Sequence, residues 1–453
     1  MSRLANHSIK SGTPELPLRY AQLPGAPASK TTAGADLTSP SRRPSVSLAD
    51  DLLSFREFGQ ATRQLATTFI DPNGAAREIP TFVNEFWTAR QRQANSLHEV
   101  SYRACFKPQL PRFFVQRLTQ PGDIVYDPFM GRGTTPVEVA MLGRVPFGND
   151  ANPLSIVMTR PRLNPPRLPQ IEARLRELSL DNPADMPDDL LTFYHPDTLR
   201  EISSLKRYFL DRRNSGAVDA LDDWLALVAL NRLTGHSPGF FSVYTLPPNQ
   251  AVSVKSQLRI NEKRNQKPQR RNVVKLILKK SRQLLGDVDD AIRDSLARVA
   301  INACLLTGPA DATPQIPSNS VALVVTSPPF LDIVQYATDN WLRCWFLGID
   351  PKSVNLTVPG KLADWQMAMT KVFHELHRVI KPGGHVAFEV GEVHSGKTRL
   401  EETVLPCGAA AGLDPVLVLI NDQKFTKTAN CWGIDNMAKG TNSNRIVVFQ
   451  KLA

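Results

Sequence analysis

The chain has 453 residues, 42% of them hydrophobic and 21% charged, a balance that suits a globular protein with a sizeable buried core. A net charge of +11 and a pI near 9.5 fit a polyanionic partner without naming one. Five widely spaced cysteines without a CxxC pair argue against a disulfide scaffold or a thiolate zinc site, and for a reducing compartment. The amino-terminal text lacks the charged-then-apolar pattern of a signal peptide, and no run approaches a membrane span. A cytoplasmic protein with no membrane attachment is expected.

Residues 1–45 are rich in Ser, Pro, Ala, Gly and Thr, so a mobile segment is expected there. From about residue 80 the text becomes globular, with helical patterning over 81–118. That stretch leads through Lys107-Pro-Gln-Leu110 to Asp123-Ile-Val-Tyr-Asp127, an apolar run that reads as a buried parallel strand. A Gly-rich loop, a helix over Pro136–Leu142 and a second strand, Val145–Asp150, complete a βαβ unit. The α/β rhythm then stops. Residues 161–300 carry prolines, helices over Asp197–Arg213 and Ala220–Leu233, a polar-aromatic loop (Gly235–Gln250), a basic stretch and a helix near 272–298. Strands resume with Ile301–Thr307, Val321–Val325 and Gly384–Val390, and two more lie near 415–420 and 444–450. The expected fold is α/β, a doubly wound Rossmann-like sheet with a mostly helical insert. Its parts are 46–160 for the first half of the sheet, 161–300 for the insert and 301–453 for the second half.

Two short strings stand at strand ends, where open α/β sheets collect ligands. One is Asp127-Pro-Phe-Met-Gly-Arg-Gly-Thr-Thr135 and the other Thr326-Ser-Pro-Pro-Phe330. A Gly-x-Gly lets backbone approach a ligand where a Cβ would clash, and Asp150 ends the next strand like the acid that binds ribose hydroxyls in dinucleotide folds. A bare Gly-x-Gly is weak evidence. The full strings resemble the S-adenosylmethionine-dependent DNA amino-methyltransferases, the N4-cytosine/N6-adenine family, whose sheet is a methyltransferase variant of the Rossmann-like fold. The resemblance implies that Asp127 and the loop bearing Phe129, Gly131, Gly133, Thr134 and Thr135 receive the methionine part of the cofactor. By the same likeness Asp150 binds its ribose and Asp311 its adenine amino group, and Lys107, with Pro108 and Leu110, matches the preceding cofactor-side motif.

The amine of an aminopyrimidine is a poor nucleophile, because its lone pair is delocalised into the ring. Two acceptors aimed at its hydrogens favour a pyramidal nitrogen. Ser327 can offer a hydroxyl oxygen and Pro328 a carbonyl. Pro328 and Pro329 stiffen that backbone, and Phe330 can stack on a base extruded from the duplex. Catalysis is then alignment for in-line displacement, without a covalent intermediate. Within the family, Ser in this motif is typical of cytosine-N4 enzymes and Asp or Asn of adenine-N6 enzymes, so Ser327 favours cytosine and leaves adenine second. In the segment that follows, Tyr336, Asp339 and Asn340 can face the substrate, while Trp341 and Trp345 read as core.

Between Lys255 and Arg282 stand eleven Lys or Arg residues and one acid, Glu262, enough to neutralise several phosphates. Lys255, Arg259, Lys263, Arg264, Lys267, Arg270 and Arg271 are the expected DNA contacts, and the aromatics of Gly235–Gln250 can probe bases or fill the gap left by a flipped one. Target recognition is placed in 161–300, although the insert precedes the Asp311 segment, which departs from the family's common motif orders. The partner implied is double-stranded DNA on the nucleoid; a cognate restriction endonuclease accompanies some such enzymes. RNA bases and glutamine side chains are the more distant substrates, and a DNA-binding protein with a vestigial cofactor fold is the non-enzymatic alternative. Gly391–Thr398 spells a phosphate loop with too little chain after it for a nucleotide-hydrolase core. Pro406-Cys407 reads as packing, and His374 and His377 lack metal-site spacing, so no metal is expected.

Overall fold

The computed structural model describes residues 47–88, 94–103, 105–246, 252–329, 336–351, 354, 359, 361–393, 398–422 and 443–453. Phe330, residues 1–45, the Gln250 end of the polar-aromatic loop, residues 394–397 of the Gly391–Thr398 string and Cys431 lie outside them.

The strands are β1 (Arg63–Ile70), β2 (Ala76–Asn84), β3 (Ile124–Asp127), β4 (Val145–Asp150), β5 (Cys304–Thr307), β6 (Val321–Thr326), β7 (Ile380–Val390), β8 (Glu392–Val393), β9 (Thr398–Arg399), β10 (Asp414–Asp422) and β11 (Ser443–Gln450). Nine form one sheet in the order β1-β2-β10-β11-β7-β6-β3-β4-β5, and β8 and β9 pair separately. The run from β7 to β5 is parallel throughout, while β11 is antiparallel to both β7 and β10. From β3 the chain steps outward through β4 to β5. It then returns to the other side of β3 with β6 and continues to β7. That reversal opens a crevice beyond the carboxyl ends of β3 and β6, where both motifs begin. All six residues of β6 are buried, as the unbroken apolar text of a parallel strand requires.

The helices are α1 (Leu48–Ser54), α2 (Gln109–Leu118), α3 (Thr134–Met141), α4 (Leu154–Leu163), α5 (Leu168–Glu177), α6 (Pro196–Asn214), α7 (Ala220–Leu230), α8 (Val254–Lys263), α9 (Val273–Leu284), α10 (Asp290–Ala300), α11 (Tyr336–Leu347), α12 (Leu362–Val379) and α13 (Leu400–Ala410). Successive strand residues face opposite sides of a sheet, and here they sort accordingly. Tyr126, Val324 and Phe388 pack against α12 and α13. Val125, Leu323 and Ala387 pack under α1 and α2. A third cluster, around the buried Trp224, joins α4 to α11. There Asp219 caps α7, and with Asp222 it takes Arg174 of α5 and Arg212 of α6, fastening three helices together.

Three elements differ from expectation. The start of the 81–118 stretch is the end of a hairpin: β1 and β2 are antiparallel and joined at Asp71-Pro-Asn-Gly74. Gly74 takes φ +83°, and Asp71 Oδ1 accepts from Asn73 N and Ala75 N, an Asx-type turn. Among the described residues, the helical pieces of that stretch are the 3-10 turn Ser96–His98 and α2. The helix near 272–298 is two helices, α9 and α10, parted around Gly286 with Asp289 capping the second. The strand drawn from Ile301 starts at Cys304, because Ile301 is still the carboxyl cap of α10.

Candidate active site at the reversal of the sheet

Asp127 ends β3 with no exposed surface. Its Oδ1 accepts from the Thr326 hydroxyl at 2.6 Å and from Phe129 N at 3.1 Å. Its Oδ2 is buried without a partner among the described residues. Burial pushes the carboxyl up to about 7, since water no longer stabilises the ionised form. Thr135, at the start of α3, donates to Val325 O at 3.2 Å. Two hydrogen bonds therefore tie the Gly loop to the end of β6, one residue before Ser327.

Gly131 and Gly133 take φ +50° and +77°, values that side chains rarely adopt. A Cβ on Gly133 would strike Thr159 of α4, and one on Gly131 would lie 3.6 Å from the Tyr102 ring. The close approach at Gly133 is thus helix against loop. Asp150 Oδ2 accepts from Gly131 N and Oδ1 from Asn152 N, both at 2.8 Å, and burial pushes this carboxyl up to about 6. Asn149 donates to Gly308 O at 3.0 Å, and its Oδ1 is buried without a partner among the described residues. Thr134 and Thr135 are buried and Phe129 is half-buried. Asp311 is exposed on the loop after β5, which Glu375 of α12 holds through Thr313 N and Oγ1 at 2.8 and 2.6 Å. Lys107 is half-buried just before α2, and burial lowers its ammonium.

Beyond β6, Ser327, Pro328 and Pro329 continue into the same crevice. The Trp365 indole donates to Pro329 O at 3.0 Å. The Ser327 hydroxyl hydrogen-bonds Glu389 of β7, a buried carboxyl that also receives Asn444 Nδ2 and is pushed up to about 7 by desolvation. Glu389 escaped the sequence reading. Its signal was one acid near the end of the apolar strand Gly384-His-Val-Ala-Phe-Glu-Val390, beside the strand that carries the serine.

The basic candidates separate. Lys255, Arg259 and Lys263 on α8, and Lys267 after it, are exposed. Arg264 stacks 3.8 Å over the Tyr244 ring. Arg270 lies 3.9 and 3.8 Å from Asp197 and Glu201, and Arg271 is half-buried with its backbone paired to Thr198. Phe240 and Phe241 are 5% and 0% exposed, so these two aromatics pack the interior and do not probe bases.

Residues 63–156, from β1 into α4, match the family model described as DNA methylase. Over that segment the chain is similar to the DNA amino-methyltransferases. The family is S-adenosylmethionine-dependent, and the matched residues include Asp127, Gly131, Gly133 and Asp150. The type II methyltransferase M.BsoBI of Geobacillus stearothermophilus is 22% identical over 317 residues, 61% of this chain and 58% of that protein. The type II methyltransferase M.MjaII of Methanocaldococcus jannaschii is 35% identical over 74 residues, 16% of this chain and 14% of that one. The chain thus spans less than two-thirds of the length of these relatives. Among solved structures, a protein of Thermus thermophilus described as a DNA modification methylase, complexed with S-adenosyl-L-methionine, aligns with 32% of this chain and 54% of its own, at 23% identity and a TM-score of 0.21. The doubly wound fold of this chain rests on the strand order and pairing of its own sheet.

Proposed function

We propose that this chain transfers a methyl group from S-adenosylmethionine to N4 of a cytosine extruded from double-stranded DNA, at a specific sequence read by residues 161–300. The observation that carries this reading is the Thr326–Asp127 hydrogen bond, which joins the Gly loop to Ser327-Pro-Pro.

The loop fits the cofactor. Two buried acceptors without partners among the described residues, Asp127 Oδ2 and Asn149 Oδ1, suit an ammonium or hydroxyl donor, and the amino end of α3 suits a carboxylate. Asp127, Phe129, Gly131, Gly133, Thr134 and Thr135 would hold the methionine part. Asp150 would take the ribose through lone pairs not used by Gly131 and Asn152, while Asp311 and Lys107 would border the remainder. When bound, S-adenosylmethionine supplies an electrophilic methyl group on a sulfonium centre.

The remaining chemistry belongs to the chain. A Ser327 hydroxyl that donates to Glu389 presents its oxygen lone pairs to an amine hydrogen, and Pro328 O accepts the other. Both contacts orient the nitrogen for in-line attack, and Phe330 would stack on the base. Once methylated, the nitrogen carries one proton too many. That proton passes to Ser327 Oγ as the serine's own proton passes to Glu389, which ends neutral. A carboxyl with a pKa of about 7 is matched to accept a proton near neutral pH. Ser327, where the family's adenine enzymes typically carry Asp or Asn, favours cytosine.

Mass spectrometry of nucleosides from plasmid DNA, propagated with and without this chain in a host free of background methylation, tests the reading. N4-methylcytosine is expected. N6-methyladenine instead would refute the cytosine assignment and the weight put on Ser327. Neither mark, with cofactor binding verified, would refute DNA methylation.

A further inference from the structure

Building on that reading, we propose that α8 is a helix that enters the DNA major groove, with Leu258 and Glu262 reading base edges and Lys255, Arg259 and Lys263 gripping phosphates. Residues three and four apart share a helix face. On α8 the exposed face is Lys255, Leu258, Arg259 and Glu262, with Lys263 beside it. Leu258 is 54% exposed at the centre of that stripe. Glu262 is the one acid among eleven cations, and among the described residues no ion pair holds it. A carboxylate there would repel phosphate, so the backbone is not its target. In the major groove, cytosine offers an N4 donor that Glu can accept from, and thymine offers a methyl group that an apolar side chain can cover. Leu258 and Glu262 stand one helical turn apart, the spacing at which one helix reaches neighbouring base pairs.

The inner face of α8 is built for rigidity. Gln257, fully buried, donates to Tyr244 O at 2.9 Å and to Asn261 Oδ1 at 2.7 Å. Asn261 donates to Thr192 O at 2.8 Å, and Gln266 reaches Tyr244 O and Asn261 Oδ1 at 2.9 and 2.8 Å. These amides fix the helix by backbone carbonyls on two other segments, leaving its outer face turned to solvent. The Trp341 indole of α11 donates to Val252 O at 3.3 Å, just before α8. Helix α11 is the next described element after the Thr326–Phe330 string, and this bond joins it to the segment that enters α8. A reader needs such rigid support, because base contacts fail when they are misplaced by an ångström.

The test reads the modified sequence. DNA from a methylation-free host expressing the full chain is sequenced by a method that detects methylated bases on single molecules, for the wild type, Leu258→Ala, Glu262→Gln, and the triple variant Lys255→Gln/Arg259→Gln/Lys263→Gln. Leu258→Ala and Glu262→Gln are each expected to relax the methylated consensus at one position, by roughly ten- to a hundredfold in relative rate. Their salt dependence of DNA binding should not fall. The triple variant should keep the consensus while its log–log salt slope drops by about three. An unchanged consensus in both single variants overturns the proposal, as does equal competition by duplex RNA, whose narrow major groove excludes a helix. Unchanged melting temperature and cofactor affinity in each variant exclude misfolding as the cause. Absence of any methylated base in the wild-type sample refutes the DNA-methylation reading itself and the proposal with it.

Discussion

The crevice at the sheet reversal and the helical layer from α5 to α10 are written in the sequence in different ways. In the crevice, residue types are forced. A loop at φ +50° and +77° demands glycine, a turn beyond β6 carries two prolines, and a buried acceptor demands a carboxylate in one place. In the helical layer only a bias survives: many cations, few acids, apolar residues at helical spacing. Chemistry needs defined backbone and atoms at fixed positions, whereas phosphate binding needs charge on a surface, which many sequences supply. Substitutions should therefore be severe and specific in the first region, graded and exchangeable in the second.

The sharpest break should come from Asp127→Ala. It removes the acceptor of Thr326 and Phe129, one of the two ties between the motifs, and the acceptor proposed for the cofactor's ammonium. Cofactor affinity measured by calorimetry should fall by about a hundredfold, the scale of one lost hydrogen bond to a charged group. Affinity within about threefold of wild type, under 1 kcal/mol, would mean that Asp127 organises the loop without touching the cofactor. Gly133→Ala should act through the backbone. Strain of about 1–3 kcal/mol and the clash with Thr159 should lower both the melting temperature and cofactor affinity.

Ser327→Ala separates chemistry from binding. Cofactor affinity should be retained while kcat falls by about 10²–10³, the usual cost of a lost transition-state hydrogen bond. Glu389→Gln tests the relay behind it. The wild-type rate should climb with pH through about 7, as Glu389 ionises and can accept a proton, and then level off. The glutamine variant should be slower with that rise removed, and a rise that persisted at the same pH would assign it to Asp127, whose carboxyl titrates in the same range.

The sheet was legible where burial is complete and opaque where it is not. Asp123–Asp127 and Val321–Val325 read as parallel strands because both faces are covered, which leaves no room for polar residues. β1 was missed because seven of its eight residues are exposed or half-buried, so its text alternates too weakly to announce a strand. Its turn, Asp71-Pro-Asn-Gly74, was the available signal. The same contrast holds in the crevice. Asp127 and Ser327 stand in strings whose order carries meaning, but Glu389 is a single acid in a strand, and only the pairing of β6 with β7 brings it to Ser327. The aromatics of the Gly235 loop misled in the opposite direction: Phe240 folds back over Gly235 with Arg232 4.1 Å from its ring, a contact that loop composition does not announce.

The smallest effect should arise where the helical layer is stiffened at a distance from the crevice. Arg174 donates to Tyr208, Asp219 and Asp222, and Asp222 is 1% exposed. In Arg174→Ala that buried carboxylate keeps Arg212 at 2.8 Å, Tyr208 and its own capping bonds, so part of the stabilisation survives. A loss of about 1–2 kcal/mol follows for a hydrogen-bonded charge pair with a remaining partner, seen as a few degrees in melting temperature. Methyl transfer at room temperature should stay within about twofold of wild type, under 1 kcal/mol in the barrier, since none of these residues borders the Gly loop or Ser327. A large loss of activity with the fold intact would mean that the helices set the geometry of the crevice, and the separation of forced chemistry from graded recognition would fail.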